Sequence, residues 1–361
     1  MRKLTIWMTT TMIMLSLLGC SLFDGKPDLF YSESVNVILI IGDGMGSVHE
    51  QVAREVLGGP LEWDSFPIKG QVTTNSMNQY VATDSAAAAT AMSTGFKTRN
   101  AYVGMSPDGV MYEHIMVFAQ TLNKRTGIVT TDEIYEATPA GFSAYSESRD
   151  SSDEIVLSQL NSGINLFIGG DTSKVVENNK RALGKAGYKL VSDLENVRRR
   201  DMFLYSVYPS IDAPENKKDQ SSEFLPLVRF ALNFLSRNNP EGFIVVIEGE
   251  KMDTLSHAHN PKFVYEILDL NEVVKEVVRW TNDFPNTLII VLADHETGGL
   301  GIRENENEPD VLKRLTWSTY GHTSNLVNYY MMDPRNQTHL AIIDNTDVHA
   351  IMKDFMMTHK P

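Results

Sequence analysis

The sequence predicts an α/β domain, a central and mostly parallel sheet with helices on both faces. Three observations carry this. Apolar runs of strand length recur at residues 35–41, 127–131, 164–168, 243–247 and 288–292. Segments of helical period lie between them, clearest at 262–282, where Val264, Ile267, Leu268, Val274, Val277 and Val278 share a face. Residues 224–235 and 348–357 form shorter amphipathic segments. Finally, three of the apolar runs end in Asp, Glu or His, and ligands of open parallel sheets gather at the carboxyl ends of the strands.

Taken in order, residues 35–41 (VNVILII) form a buried strand that delivers Asp43 into the glycine-rich turn Gly42-Asp43-Gly44-Met45-Gly46. In Thr83-Asp84-Ser85-Ala86-Ala87, Asp84 and Ser85 occupy cap positions for a helix over 86–93. The positive end of that helix would face whatever Ser85 attacks, which suits a phosphate. Residues 243–247 deliver Glu248, with Asp253 and His257 following. Those two stand at i and i+4, on one face of a helix, and zinc accepts both ligand types. Residues 288–292 deliver Asp294 and His295, neighbours that can diverge from a strand end around a metal. His322 precedes a strand-like stretch at 326–330. The chain has nine histidines, and only these three fall in such clusters. His259 reads as a neighbour of the site or a surface residue. His49, His114, His339, His349 and His359 read as ordinary. Arg149, in the polar stretch 146–153, would by itself be part of a solvated loop. Thr138, before Pro139, would be an extended loop threonine.

Together these segments resemble the alkaline phosphatases, metal-dependent phosphomonoesterases with a serine nucleophile. The matching segments are IGDGMG at Ile41, TDSAAAATA at Thr83, EATPAG at Glu136, SR at Ser148, EGEKMDTLSHAHN at Glu248, ADHETGG at Ala293 and GHT at Gly321. They stand in the family's order and span nearly the whole mature chain. The resemblance implies a three-layer sandwich with a reduced cap insertion and a catalytic domain over 34–361. It implies Ser85 as nucleophile and Arg149 as the group that grips phosphate. Asp253, His257 and His322 would hold one zinc, and Asp43, Asp294 and His295 a second. Asp43, Thr138 and Glu248 would hold a third metal, magnesium in most relatives. Relatives are commonly dimers, so a homodimer is an assembly the resemblance leaves open.

Two positions depart from better-studied bacterial members. Glu136 replaces an aspartate near the third metal, which it could approach directly or displace. Thr254 replaces a lysine, removing a water-mediated contact to phosphate. The residue types suit the chemistry, because two metals roughly 4 Å apart can clamp the attacking and departing oxygens of an in-line displacement.

The N-terminus points to export. Arg2-Lys3 and the apolar residues 4–18 resemble a bacterial lipoprotein signal over 1–19, ending Leu17-Leu18-Gly19-Cys20. Cys20, the single cysteine, would carry the lipid on a tether over 20–33, facing periplasm or cell exterior. An uncleaved anchor or an ordinary secretory signal is the alternative. With one cysteine there is no intramolecular disulfide. The formal charge of −14 partly reflects the carboxylates of the site, and no basic patch with interleaved aromatics suggests a nucleic-acid surface. The gap between 299 and 317 reads as a short acidic loop leaving an open site, and 196–222 as an exposed charged insertion. Small phosphate monoesters are the expected substrates. A phosphodiesterase or another activity of the superfamily is the alternative, and a surface lipoprotein without catalysis is the remote one.

Overall fold

The computed structural model describes residues 33–208, 223–305 and 307–358. The signal, Cys20 and nearly all of the tether lie outside the described residues. Among these residues the strands are β1 (Asn36–Gly42), β2 (Ile68–Thr73), β3 (Arg125–Glu133), β4 (Leu166–Gly170), β5 (Lys189–Val191), β6 (Leu204–Tyr208) and β7 (Phe243–Gly249). Then follow β8 (Thr287–Leu292), β9 (Glu296–Thr297), β10 (Leu300–Ile302), β11 (Leu315–Trp317), β12 (His322–Thr323), β13 (Val327–Met332) and β14 (Ile342–Asp344).

Ten of these form one sheet in the order β14-β2-β13-β8-β1-β7-β3-β4-β6-β5. All its pairings are parallel except those of β13, which runs antiparallel to both β2 and β8. β1 lies between β7 and β8, and every residue of it is buried. That explains why its sequence is continuously apolar rather than alternating: helices cover both faces of the sheet. The helix Phe263–Trp280 turns Phe263, Val264, Ile267, Leu270, Val274 and Val277 inward, the stripe expected of a helix laid on a sheet.

The structure corrects the sequence reading at several points. Residues 196–222 are not wholly an exposed insertion. Within them β6 pairs in parallel with β4 and β5, and Leu204, Tyr205 and Ser206 are fully buried. Its charged flanks disguise a five-residue strand whose partners are distant in sequence. Residues 299–317 are more than a loop: β10 and β11 form an antiparallel ribbon there. Thr138 is not extended, since Glu136 caps a short helix over Ala137–Gly141 that contains both Thr138 and Pro139. Proline is tolerated in a first turn, where no intrahelical N–H bond is lost.

Candidate active site

Strand register assembles the carboxylates. Ile41 of β1 stands opposite Glu248 of β7 on one side and Leu292 of β8 on the other. Asp43 and Asp294 therefore leave the sheet beside Glu248, at the same edge. The amide of Asp43 donates to the Gly249 carbonyl at 3.0 Å, and that of Gly44 donates to Asp294 Oδ1 at 3.1 Å. Gly44 has φ +69°, and a Cβ there would lie 2.6 Å from Asp253 Oδ1 and 2.8 Å from Thr297 Oγ1. Only glycine allows this turn to pass so close beneath the site.

Ser85 begins the helix Ser85–Thr94, all ten residues of which are buried. The cap is Asp84, whose Oδ1 accepts from the Ala87 amide at 2.9 Å. Its Oδ2 accepts from the Ala101 amide at 2.8 Å. The alanine-rich face admits a close neighbour, since a Cβ on Gly141 would lie 2.5 Å from Ala89 Cβ. This contact brings the helix Ala137–Gly141, and with it Thr138, against the nucleophile's helix. Arg149 is anchored through its amide to the Ala101 carbonyl at 2.8 Å. Its guanidinium lies 3.6 Å from Asp84 and 3.6 Å from Glu136. Burial pulls the Arg149 pKa down, but Asp84, Glu136, Asp43 and Asp132 outweigh it and raise the value, so the charge is secure.

Two donor groups converge on Ser85. Asp43, Asp294 and His295 form the first: His295 Nε2 lies 3.4 Å from Asp43 Oδ1 and 3.3 Å from Asp294 Oδ2, and 3.1 Å from Ser85 Oγ. Asp253, His257 and His322 form the second. His257 Nε2 lies 3.2 Å from Asp253 Oδ2 and 3.0 Å from His322 Nε2, while His322 Nε2 lies 3.7 Å from Asp253 Oδ1. The two groups adjoin, because the His295 and His322 rings stack with centroids 3.5 Å apart and one donor atom each of Asp253, His295 and His322 lie within 4.8 Å of one another. Glu248, beside Asp43, accepts from the Thr130 hydroxyl.

The imidazoles are oriented from behind. The Nδ1 atoms of His257 and His322 donate to the carbonyls of Tyr320 and Thr83. His295 Nδ1 lies 3.3 Å from Thr297 Oγ1. A carbonyl only accepts, so Nδ1 carries the proton in both pairs and Nε2 is turned inward as a donor atom.

The electrostatics call for positive charge. Burial, reinforced by Asp294, Asp253 and Glu248, raises the Asp43 pKa well above the usual range. Burial pushes Glu248 up to about 8 and Asp294 up to about 7. Asp43 Oδ1 and Asp294 Oδ2 are buried without a well-formed hydrogen bond, with His295 Nε2 near both. In the second group, the hydrogen bond to Asp253 raises His257 to about 9. Burial would raise Asp253, but its bond to His257 and the nearby His295 and His322 hold it below the ordinary value. Poorly paired carboxylate oxygens and inward-facing imidazole nitrogens are a donor set that divalent cations satisfy.

A family model described as alkaline phosphatase matches residues 34–178 and 210–313. The chain belongs to the alkaline phosphatase family. Alkaline phosphatase 4 of Bacillus subtilis is 28% identical over 295 residues, covering 76% of this chain and 64% of the relative. The Escherichia coli alkaline phosphatase is 27% identical, covering 88% and 85%. The chain thus spans less than two thirds of the Bacillus relative's length. Among solved structures, the alkaline phosphatase of the Antarctic bacterium TAB5 superposes with a TM-score of 0.79 at 26% identity, covering 90% of this chain and 99% of that one. The family match stops at Lys313, so His322 enters the site on geometry, through its contacts with His257, Asp253 and Thr83.

The structure places Asp43, Asp294 and His295 beside Ser85, and Asp253, His257 and His322 beside one another. It adds two residues that sequence reasoning missed. Thr297 donates to Asp253 Oδ1 while touching His295, tying one donor group to the other. It lies two residues after His295 within ADHETGG, so the alternation of a strand could have flagged it. His49 stands outside both donor groups, as an ordinary histidine would, but it is fully buried: Nδ1 accepts from the Gly46 amide at 3.3 Å, and Nε2 lies 3.1 Å from Ser256 Oγ. Burial pushes its pKa down to about 3, so a neutral imidazole props the helix Lys251–His257 behind Asp253. No local signal marks it.

Proposed function

We propose that the protein hydrolyses phosphate monoesters through a phosphoserine on Ser85. The observation that carries this is Ser85 Oγ at the head of a buried helix, 3.1 Å from His295 Nε2, where both donor groups and Arg149 meet. Asp43, Asp294 and His295 would hold one zinc ion, and Asp253, His257 and His322 another. Asp43, Thr138 and Glu248, all oxygen donors, suit magnesium. When bound, these cations supply Lewis-acid stabilisation of the attacking and departing oxygens.

This chain's own residues do the rest. Ser85 Oγ, giving up its proton, forms a bond to phosphorus as the ester bond breaks on the opposite side. The alcohol departs, taking a proton from solvent, and water then cleaves the phosphoserine to release inorganic phosphate. Arg149 holds two phosphate oxygens with its planar fork, and the start of the helix Ser85–Thr94 adds its dipole. Glu136, 3.6 Å from Arg149, shares the guanidinium's charge with Asp84. Export and lipid anchoring through Cys20 are part of this proposal. They are supported by the pattern of residues 1–20.

The test is hydrolysis of a generic phosphate monoester and the matching diester by zinc-loaded protein and by Ser85→Ala. Monoester turnover well above diester turnover, falling by roughly a thousandfold or more in the variant, is expected. A preference for the diester would assign the chain a sibling activity instead.

A further inference from the structure

We propose that Tyr320 is a stacking platform for a flat aromatic ring carried by the departing alcohol, so that nucleoside 5′-monophosphates are favoured over bare sugar phosphates. The inference rests on the phosphomonoesterase assignment and specifies its substrate class.

Three flat rings form a column at the edge of the site. Trp317 and His259 are stacked with centroids 5.0 Å apart and planes 5° from parallel. His259 and Tyr320 are stacked at 4.0 Å and 6°. The inner end of the column packs against the core, where the half-buried Trp317 meets the buried Phe263 edge-on at 5.8 Å. The middle ring is fixed by its backbone, because His259 has φ +51°, and by its Nε2, which donates to the Thr319 carbonyl at 2.8 Å. The outer ring is open: Tyr320 is 73% exposed although one face lies on His259.

A lone exposed aromatic needs no explanation. Tyr320 differs in being pre-ordered, since its ring plane is already set by the stack beneath it. A ligand ring landing on it therefore pays little to organise it. Its position is also tied to the chemistry. The Tyr320 carbonyl accepts from His257 Nδ1, and His322 follows two residues later. In an in-line displacement the alcohol leaves opposite the attacking oxygen. Ser85 Oγ sits on the Asp43, Asp294 and His295 side, so the alcohol emerges beside Asp253, His257 and His322, where Tyr320 stands. The segment before Ser85, in which Tyr80 and Val81 are exposed, also reaches this site. It is fastened to the same histidine, because His322 Nδ1 donates to the Thr83 carbonyl at 2.8 Å. A ring with two polarisable faces fits such a platform better than a hydroxylated chain does. Stacking of a base on an aromatic side chain tolerates any base, so the platform selects for a base without choosing among bases.

The experiment compares kcat/KM for adenosine 5′-monophosphate and ribose 5-phosphate on the metal-loaded protein. The two share the same reacting ester and differ only in the base. Wild type is expected to prefer the nucleotide. In Tyr320→Ala and in Tyr320→Leu, which keeps bulk without a ring, the nucleotide-to-sugar ratio should fall roughly tenfold. The change should appear in KM, because a remote stack is equally strong before and during bond cleavage. Tyr320→Phe should keep the ratio. Equal use of both substrates by wild type, or an unchanged ratio in Ala and Leu variants, overturns the platform while leaving the phosphatase assignment standing. Cleavage of neither substrate by wild type overturns both.

Discussion

His257 and His322 point their Nε2 atoms at one another across 3.0 Å, each ring held from behind by a backbone carbonyl. With Nδ1 protonated on both, two neutral rings would oppose lone pairs beside the Asp253 carboxylate. Something positive has to stand among them, either a proton on His257 or a cation. The same logic applies across Ser85, where the buried Asp43 and Asp294 carry oxygens without a well-formed hydrogen bond.

Metal removal should therefore destabilise the whole domain, because the donors come from β1, β8 and the helix Lys251–His257 at once. Calorimetry of chelated protein should show a lower Tm, restored by zinc. At a hundredfold excess over Kd, each site is expected to return about 2.7 kcal/mol. A Tm indifferent to chelator and zinc would mean that the site holds no cation.

Thr297 is the hinge between the two donor groups, donating to Asp253 Oδ1 and touching His295 Nδ1. Thr297→Val keeps the shape and removes the hydroxyl. Partners of this kind commonly contribute 10–100-fold in metal affinity, so competition against a chromogenic chelator should show a loss of about that size. An unchanged affinity would reduce Thr297 to packing.

A pH dependence arises far from the site, at Lys124. Its ammonium donates to the carbonyls of Val35, at 2.8 Å, and Glu241, and burial pushes its pKa down to about 8 from 10.5. Between those two values the unfolded chain holds a proton that the folded chain has released. Stability therefore rises as pH climbs through that window, by up to about 3 kcal/mol, and the gain is absent below pH 8. Denaturant titrations from pH 7 to 11 should show this rise in wild type and a shallower one in Lys124→Met. Identical slopes would place the titration elsewhere.

Strand ends, and the carboxylates and histidines that follow them, were legible from the chain alone. The apolar runs before Asp43, Glu248 and Asp294 declare a buried parallel sheet, since only strands covered on both faces lose their alternation. Spacing alone put Asp253 and His257 on one helix face, and Asp84-Ser85 at a helix start. Tertiary structure decided what depends on pairing across long separations. β6 was hidden by charged flanks and is a strand only because β4 and β5 accept it. β13 runs against its neighbours, which no local pattern encodes. Thr297, His49 and Tyr320 are unremarkable in sequence, because a hydroxyl, an imidazole or a phenol gains its role from what folding places beside it. The sequence by itself determined which atoms could bind charge. The fold decided which of them face each other, because register, and not composition, sets distances of a few ångströms.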